Sequence, residues 1–166
     1  MESVIHTTPR EKKASCPDGW ELKALKTIAA MSDETHCFTA RLYIGGKLAC
    51  DVSNHGHGGP NMERWASDEA KAQAMTAVAG TQDLSAYGIT DPLSPDSCFE
   101  ITIGGMVNDA LLMKEAKRFA KRGKYPSVVW ASDGIDEFLF GLRNPDNLDK
   151  FLREYNAVEY RVFHLA

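Results

Sequence analysis

The sequence predicts an α+β fold: one domain, mainly antiparallel sheet, with three to four helices packed on it. Three observations carry that expectation. Two stretches, 38–52 and 127–142, alternate apolar with polar or small residues on either side of a glycine-bearing turn. Two others, 68–80 and 97–122, place apolar residues at helical spacing and are stopped by Gly80 and Gly123. A short helix and a last alternating strand close the chain.

Residues 1–17, with Thr7, Thr8, Pro9 and the charged run Arg10, Glu11, Lys12, Lys13, suit a flexible arm, leaving 18–166 as the domain. Residues 20–31 fit either period: Leu22, Leu25 and Ala29 match a helix, whereas Trp20, Leu22, Ile28 and Ala30 match a strand. The strand is favoured, because a hairpin follows at once and needs a third partner to be stable.

That hairpin turns at Gly45 and Gly46. A two-residue turn at Gly45 and Gly46 would pair Leu42 with Ala49 and Ala40 with Asp51, mixing apolar and charged residues on one face. A three-residue loop over 44–46 pairs Leu42 with Leu48, Ala40 with Cys50 and Phe38 with Val52. It leaves Thr39, Arg41, Tyr43, Lys47 and Asp51 opposite. One continuous apolar face decides for the longer loop.

Asp68 and Glu69 then begin an alanine-rich helix that stops at Gly80. Residues 81–96, with Gly88, Pro92 and Pro95, form a loop. Ser97 and Glu100 have capping-box spacing for a second helix, over 97–122, bearing Ile103, Val107, Ala110, Leu111 and Phe119. A hairpin around Asp133 and Gly134 follows. A short helix after Asn144 and Pro145, with Leu148, Phe151, Leu152 and Tyr155, precedes a strand over 158–165.

At 166 residues, 43% of them hydrophobic, the chain can bury a core. No apolar run is long enough to span a bilayer, and the start lacks the basic and apolar pattern of a signal peptide, so a cytoplasmic location is expected. The four cysteines, Cys16, Cys37, Cys50 and Cys98, form no CxxC pair and are expected reduced. A net charge of −4 gives no global attraction to nucleic acid or anionic membrane.

The densest functional signal is Asn54, His55, Gly56, His57, Gly58 and Gly59. Amides in such a loop can form an anion-binding nest, and here the loop leads toward a helix, but no Lys-Ser/Thr follows and the spacing is not GxGxxG. The competing reading is a tight turn in which Asn54 bonds local backbone and the glycines take positive φ. His55 and His57, with Asp51, Cys50 or His36, contain metal-ligand types but complete no metal motif. Cys37 beside His36, with Glu34, invites a nucleophile and base, yet neighbours on a strand point to opposite faces. No catalytic residue, metal or cofactor is assigned, and binding is favoured over catalysis.

A candidate basic patch is Lys114, Lys117, Arg118 and Lys121, which share one helix face, with Arg122 and Lys124 beside it. A solvated helix face is the simpler reading. An acidic group at Asp133, Asp136, Glu137, Asp146 and Asp149 would, with the patch, suit a protein partner.

Taken together, Ser32-x-Glu34-Thr35-x-Cys37-Phe38-x-Ala40-x-Leu42-Tyr43, Gly46-Lys47 and Val52-Ser53-Asn54-x-Gly56-x-Gly58-Gly59 resemble a group of small proteins encoded by bacteriophages and plasmids. That group carries aspartate where this chain has His55. The resemblance implies a mobile-element origin and no particular reaction. The expectation is therefore a phage- or plasmid-derived binding protein whose partner is a host protein or protein–nucleic acid complex. An anti-CRISPR-like inhibitor of host defence is one form of it. Direct nucleic-acid binding is less favoured, and no membrane is involved. The alternative is a small nucleotide- or metal-binding protein or enzyme using residues 54–59.

Overall fold

A computed structural model describes residues 8–165. In chain order the elements are β1 (Arg10–Glu11), β2 (Trp20–Thr27), β3 (Cys37–Ile44), β4 (Lys47–His55), β5 (Met62–Trp65), α1 (Asp68–Val78) and α2 (Pro95–Gly123). Then come β6 (Ser127–Ser132), β7 (Glu137–Leu142), α3 (Leu148–Glu154) and β8 (Glu159–His164), with three short 3-10 turns between elements. The fold is α+β, with two mostly antiparallel four-stranded sheets in place of the single sheet expected. The chain divides into two compact units, Ser15–Asn108 and, with the N-terminal residues up to Ala14, Asp109–Ala166.

In the unit of Ser15–Asn108 the sheet runs β2-β3-β4-β5, antiparallel throughout. Residues 20–27 are indeed a strand. The β3–β4 hairpin differs from the expected register. Gly45 and Gly46, at φ of +58° and +79°, make a two-residue turn that pairs Ile44 with Lys47 and Tyr43 with Leu48. A bulge then admits one extra residue, Ala49, so that Leu42 pairs with Cys50, Ala40 with Val52 and Phe38 with Asn54. The apolar face survives with one substitution. Phe38, Ala40, Leu42, Cys50 and Val52 are buried, Ala49 joins them, and Leu48 is turned out to 41% exposure.

Behind this face lie Phe99, Ile103 and Val107 of α2, with Ala74 and Val78 of α1, all buried. The Phe99 ring sits 5.9 Å from that of Trp20 and 5.0 Å from that of Trp65. Ser67 caps α1 by accepting from the Ala70 amide, and Ala79 and Gly80 end it as expected. The start of α2 is corrected from Ser97 to Pro95. Ser94 accepts from the Ser97 amide, and Pro95 takes the first turn, where its missing N–H is no loss.

The other unit holds the sheet β1-β8-β6-β7, antiparallel except for the β1–β8 pair. Arg10 and Glu11 pair with Glu159 and Tyr160, so this part of the expected flexible arm is a strand. The arm's first seven residues lie outside the described residues. One face of β6 packs Val129 and Ala131 with Phe140, Leu152 and Ala157. The other packs Val128 and Trp130 with Ala116, Ala120 and Phe163. Covered on both sides, β6 reads as a continuous apolar run rather than an alternation. Among the described residues no helix is long and apolar enough to cross a membrane.

Candidate functional site

The loop after β4 is organised by one side chain. Asn54 is buried at 6% exposure, and each end of its amide has two partners. Its Oδ1 accepts from the Gly56 amide at 2.8 Å and from Thr35 Oγ1 at 2.8 Å. Its Nδ2 donates to the Gly59 carbonyl at 2.9 Å and to Asn61 Oδ1 at 3.1 Å. The side chain thereby reaches the full hydrogen-bonding capacity of a carboxamide.

The Ser32 to Thr35 segment closes the loop from the other side. The Gly56 carbonyl accepts from the amides of Asp33 at 2.9 Å and Glu34 at 3.2 Å. Ser32 Oγ accepts from the Cys37 amide and donates to the Ile28 carbonyl, both at 2.9 Å. Gly56 stands at φ +87°, and any Cβ there would overlap the Met31 carbonyl oxygen. Gly58, at φ +79°, leaves space that the Glu34 carboxylate occupies. The two halves of the motif are thus physically linked: Ser32, Glu34 and Thr35 supply packing and hydrogen-bonding partners to the segment of Asn54, Gly56 and Gly58.

The loop leads into β5, not a helix, which corrects one support of the anion-nest reading. The Gly56 amide is spent on Asn54, and the Gly58 amide faces Thr35 Oγ1 at 3.4 Å. What the loop presents is side chains. His57 Nδ1 lies 3.0 Å from Asp33 Oδ2, with both groups more than half exposed. His55, at the exposed end of β4, pairs across the ladder with Cys37. His36 Nε2 lies 2.7 Å from Asn108 Oδ1.

Beside these groups opens a groove of about 710 Å³. Phe38 and Val107 supply apolar wall, Gly58, Gly59 and Pro60 one rim, and Glu34 and Glu100 carboxylates. Glu100 also accepts from the Asn61 amide, which ties α2 to the end of the loop. Asp33 and Asn108 were not singled out from the sequence, and Glu34 and Glu100 were read there in other roles, beside Cys37 and His36 and as a helix cap. The spacing of Ser32, Glu34 and Thr35 within the motif could have pointed to Asp33 and Glu34.

The other candidates separate. Cys37 is buried and His36 exposed, so they form no nucleophile–base pair. Cys50 is buried, and burial pushes its thiol up to about 11. Asp51 is engaged by Arg64 at 2.7 Å and Arg41 at 3.5 Å. Among the described residues no group of three or more His, Cys, Asp or Glu side chains is placed to hold a metal ion. Burial also raises Glu63 above the usual carboxylate range, opposed by a hydrogen bond from Trp65 Nε1.

Lys114, Lys117, Arg118 and Lys121 are exposed on α2, opposite the buried Ala116 and Ala120. They belong to the unit that begins at Asp109, and residues 54–59 to the other. Of the acidic group, Asp133 accepts from the Ile135 and Asp136 amides within its own turn, and Glu137 from Trp130 Nε1. Comparison with protein-family models, with curated proteins and with solved structures found no match.

Proposed function

We propose that the protein is a non-enzymatic binding protein of mobile-element origin that engages a host macromolecule through residues 54–59 and the adjoining groove. Inhibition of a host defence system in the bacterial cytoplasm is the form of this role that fits such an origin. The origin rests on the resemblance of the motif between Ser32 and Gly59. The binding role is carried by one observation: the loop is braced internally by Asn54 and presents His55 and His57 exposed, while the exposed Asp33 lines an open groove beside it. A braced loop loses little conformational entropy when a partner settles on it.

The groove's carboxylates, Glu34 and Glu100, favour a partner segment bearing lysine or arginine beside an apolar side chain. The test is capture of a host partner by immobilised protein, followed by titration of that partner against Glu34→Gln and His57→Ala. Both variants should keep the wild-type melting temperature, since both side chains are exposed. Weakened binding by stable variants supports the reading. Wild-type affinity in both would move the binding surface elsewhere.

A further inference from the structure

The sheet β2-β3-β4-β5 has a second face, opposite the buried one, and its charge is uneven. Two adjacent rows run across it. One places Lys23 beside Arg41, Arg41 beside Asp51 and Asp51 beside Arg64. The next places Lys26 beside Thr39, Thr39 beside Ser53 and Ser53 beside Met62. Four cations thus share a face with the carboxylates of Asp51 and of Glu21, which pairs with Lys23 at 3.5 Å. Glu63 pairs across the ladder with the inward-facing Val52, and its carboxylate accepts from Trp65 Nε1.

Three of the cations, Lys26, Arg41 and Arg64, converge on a concavity of about 530 Å³ that Thr39, Ser53, Asp51 and Glu63 also line. Asp51 bridges the two arginines through its separate oxygens, meeting Arg41 Nε with one and an Arg64 terminal nitrogen with the other. A guanidinium has five N–H donors, so each arginine keeps donors for a ligand while its position is fixed.

Two features oppose stability at this place. Lys23 and Arg41 are directly opposed like charges, an unfavourable cross-strand pair. Ala24 takes φ +52° within a β2 bulge between Lys23 and Lys26, a conformation costly for a residue with a Cβ. The bulge has a definite effect. Residues three apart on a regular strand point to opposite faces, and the extra residue lets Lys23 and Lys26 share one.

We infer that the outer face of this sheet is a phosphate-binding surface, with Lys26, Arg41 and Arg64 holding the anion and Thr39 and Ser53 adding hydroxyl donors. It is a site separate from the loop of residues 54–59. Phosphate oxygens match paired guanidiniums in geometry and charge. The phosphate could belong to a nucleic-acid backbone crossing the strands or to a small phosphorylated molecule, and two probes distinguish these sources.

The experiment titrates the full chain at low ionic strength with fluorescent oligo(dT) and, separately, with inorganic pyrophosphate followed by amide chemical shifts. Wild-type protein, Arg64→Glu, Lys26→Glu and the helix control Lys117→Glu are compared, each first checked by thermal melting. Arg64 is 86% exposed, so its reversal should leave the fold intact. Lys26→Gln replaces any variant that fails to fold. Binding of either probe is expected, lost or weakened by the two sheet substitutions and unchanged by Lys117→Glu. For oligo(dT), the slope of log affinity against log salt should fall by about 1 for each charge removed. Oligo(dT) alone would identify a strand, and pyrophosphate a small phosphate ligand. Binding of neither probe, binding indifferent to both sheet substitutions, or binding abolished by Lys117→Glu would each overturn the inference.

Discussion

The two sheets use the same number of strands for different ends. In β1-β8-β6-β7, strand β6 is buried on both faces, with Val129 and Ala131 in one cluster and Val128 and Trp130 in another. In β2-β3-β4-β5, strand β3 buries Phe38, Ala40 and Leu42 while Thr39 and Arg41 stay exposed between them. A sheet covered twice has given both faces to packing. A sheet covered once keeps a rigid, hydrogen-bonded surface whose side chains are free to be chosen for contact with something else. Both regions assigned to binding lie on the singly covered sheet or at its edge.

The sharpest way to break this comparison is substitution at consecutive positions. Trp130→Ala should cost roughly 3–5 kcal/mol, and Val128→Ala and Val129→Ala roughly 1–3 kcal/mol each, because neither face of β6 is spare. In β3 the effect should alternate: Leu42→Ala about 2–5 kcal/mol and Arg41→Ala within about 0.5 kcal/mol. Urea titration measures all of these. Equal losses at Leu42 and Arg41 would mean the outer face is covered after all.

Next in size is Asn54→Ala, which leaves buried partners without their bonds and should cost on the order of 1–3 kcal/mol. Faster hydrogen exchange at the Gly56 amide, with unchanged exchange in β6, would confine the effect to the singly covered sheet.

A pH effect sharpens the same contrast. Burial lifts the Cys50 thiol from 9.0 to about 11, so the folded state favours the neutral form. Its contribution is fully present below pH 9.0 and is lost as pH rises toward about 11. Cys50→Ala should flatten the alkaline decline in urea midpoint relative to wild type. An identical decline in both would assign it to other groups.

Smallest of all, His57→Ala should change stability by less than about 0.5 kcal/mol, since the side chain is exposed. Its effect belongs in partner binding.

Much of the singly covered sheet was legible in advance. Alternation identified Phe38, Ala40, Leu42, Cys50 and Val52 as one face, and that held. The register did not, because a bulge has no period of its own. Treating every apolar residue as inward drew Leu48 into the core, whereas the extra residue at Ala49 turns it out. Strand β5 went unseen because it is four residues long and places a charged side chain, Glu63, on the inner face. With it went Arg64, and so the convergence of cations around Asp51.

In the other sheet, β8 and β1 are paired across most of the chain length, a separation that local patterns cannot bridge. The site was half legible. Asparagine among glycines announces a turn braced by its own side chain, and Asn54 is that. Its remaining partners, Thr35 and Asn61, are supplied by tertiary structure.

The bulge at Ala24 also bears on how this chain can change in length. At most strand positions, losing one residue throws everything beyond it out of phase and exposes a core face. In β2, Ala24 and Leu25 stand together opposite Ala40, so deleting Ala24 would leave a regular ladder with Lys26 still facing Thr39. The strained φ would vanish, and Lys23 and Lys26 would remain on the outer surface. The strand thus holds one residue in reserve, and descendants of this sequence can shed it without redrawing the face that carries their charge.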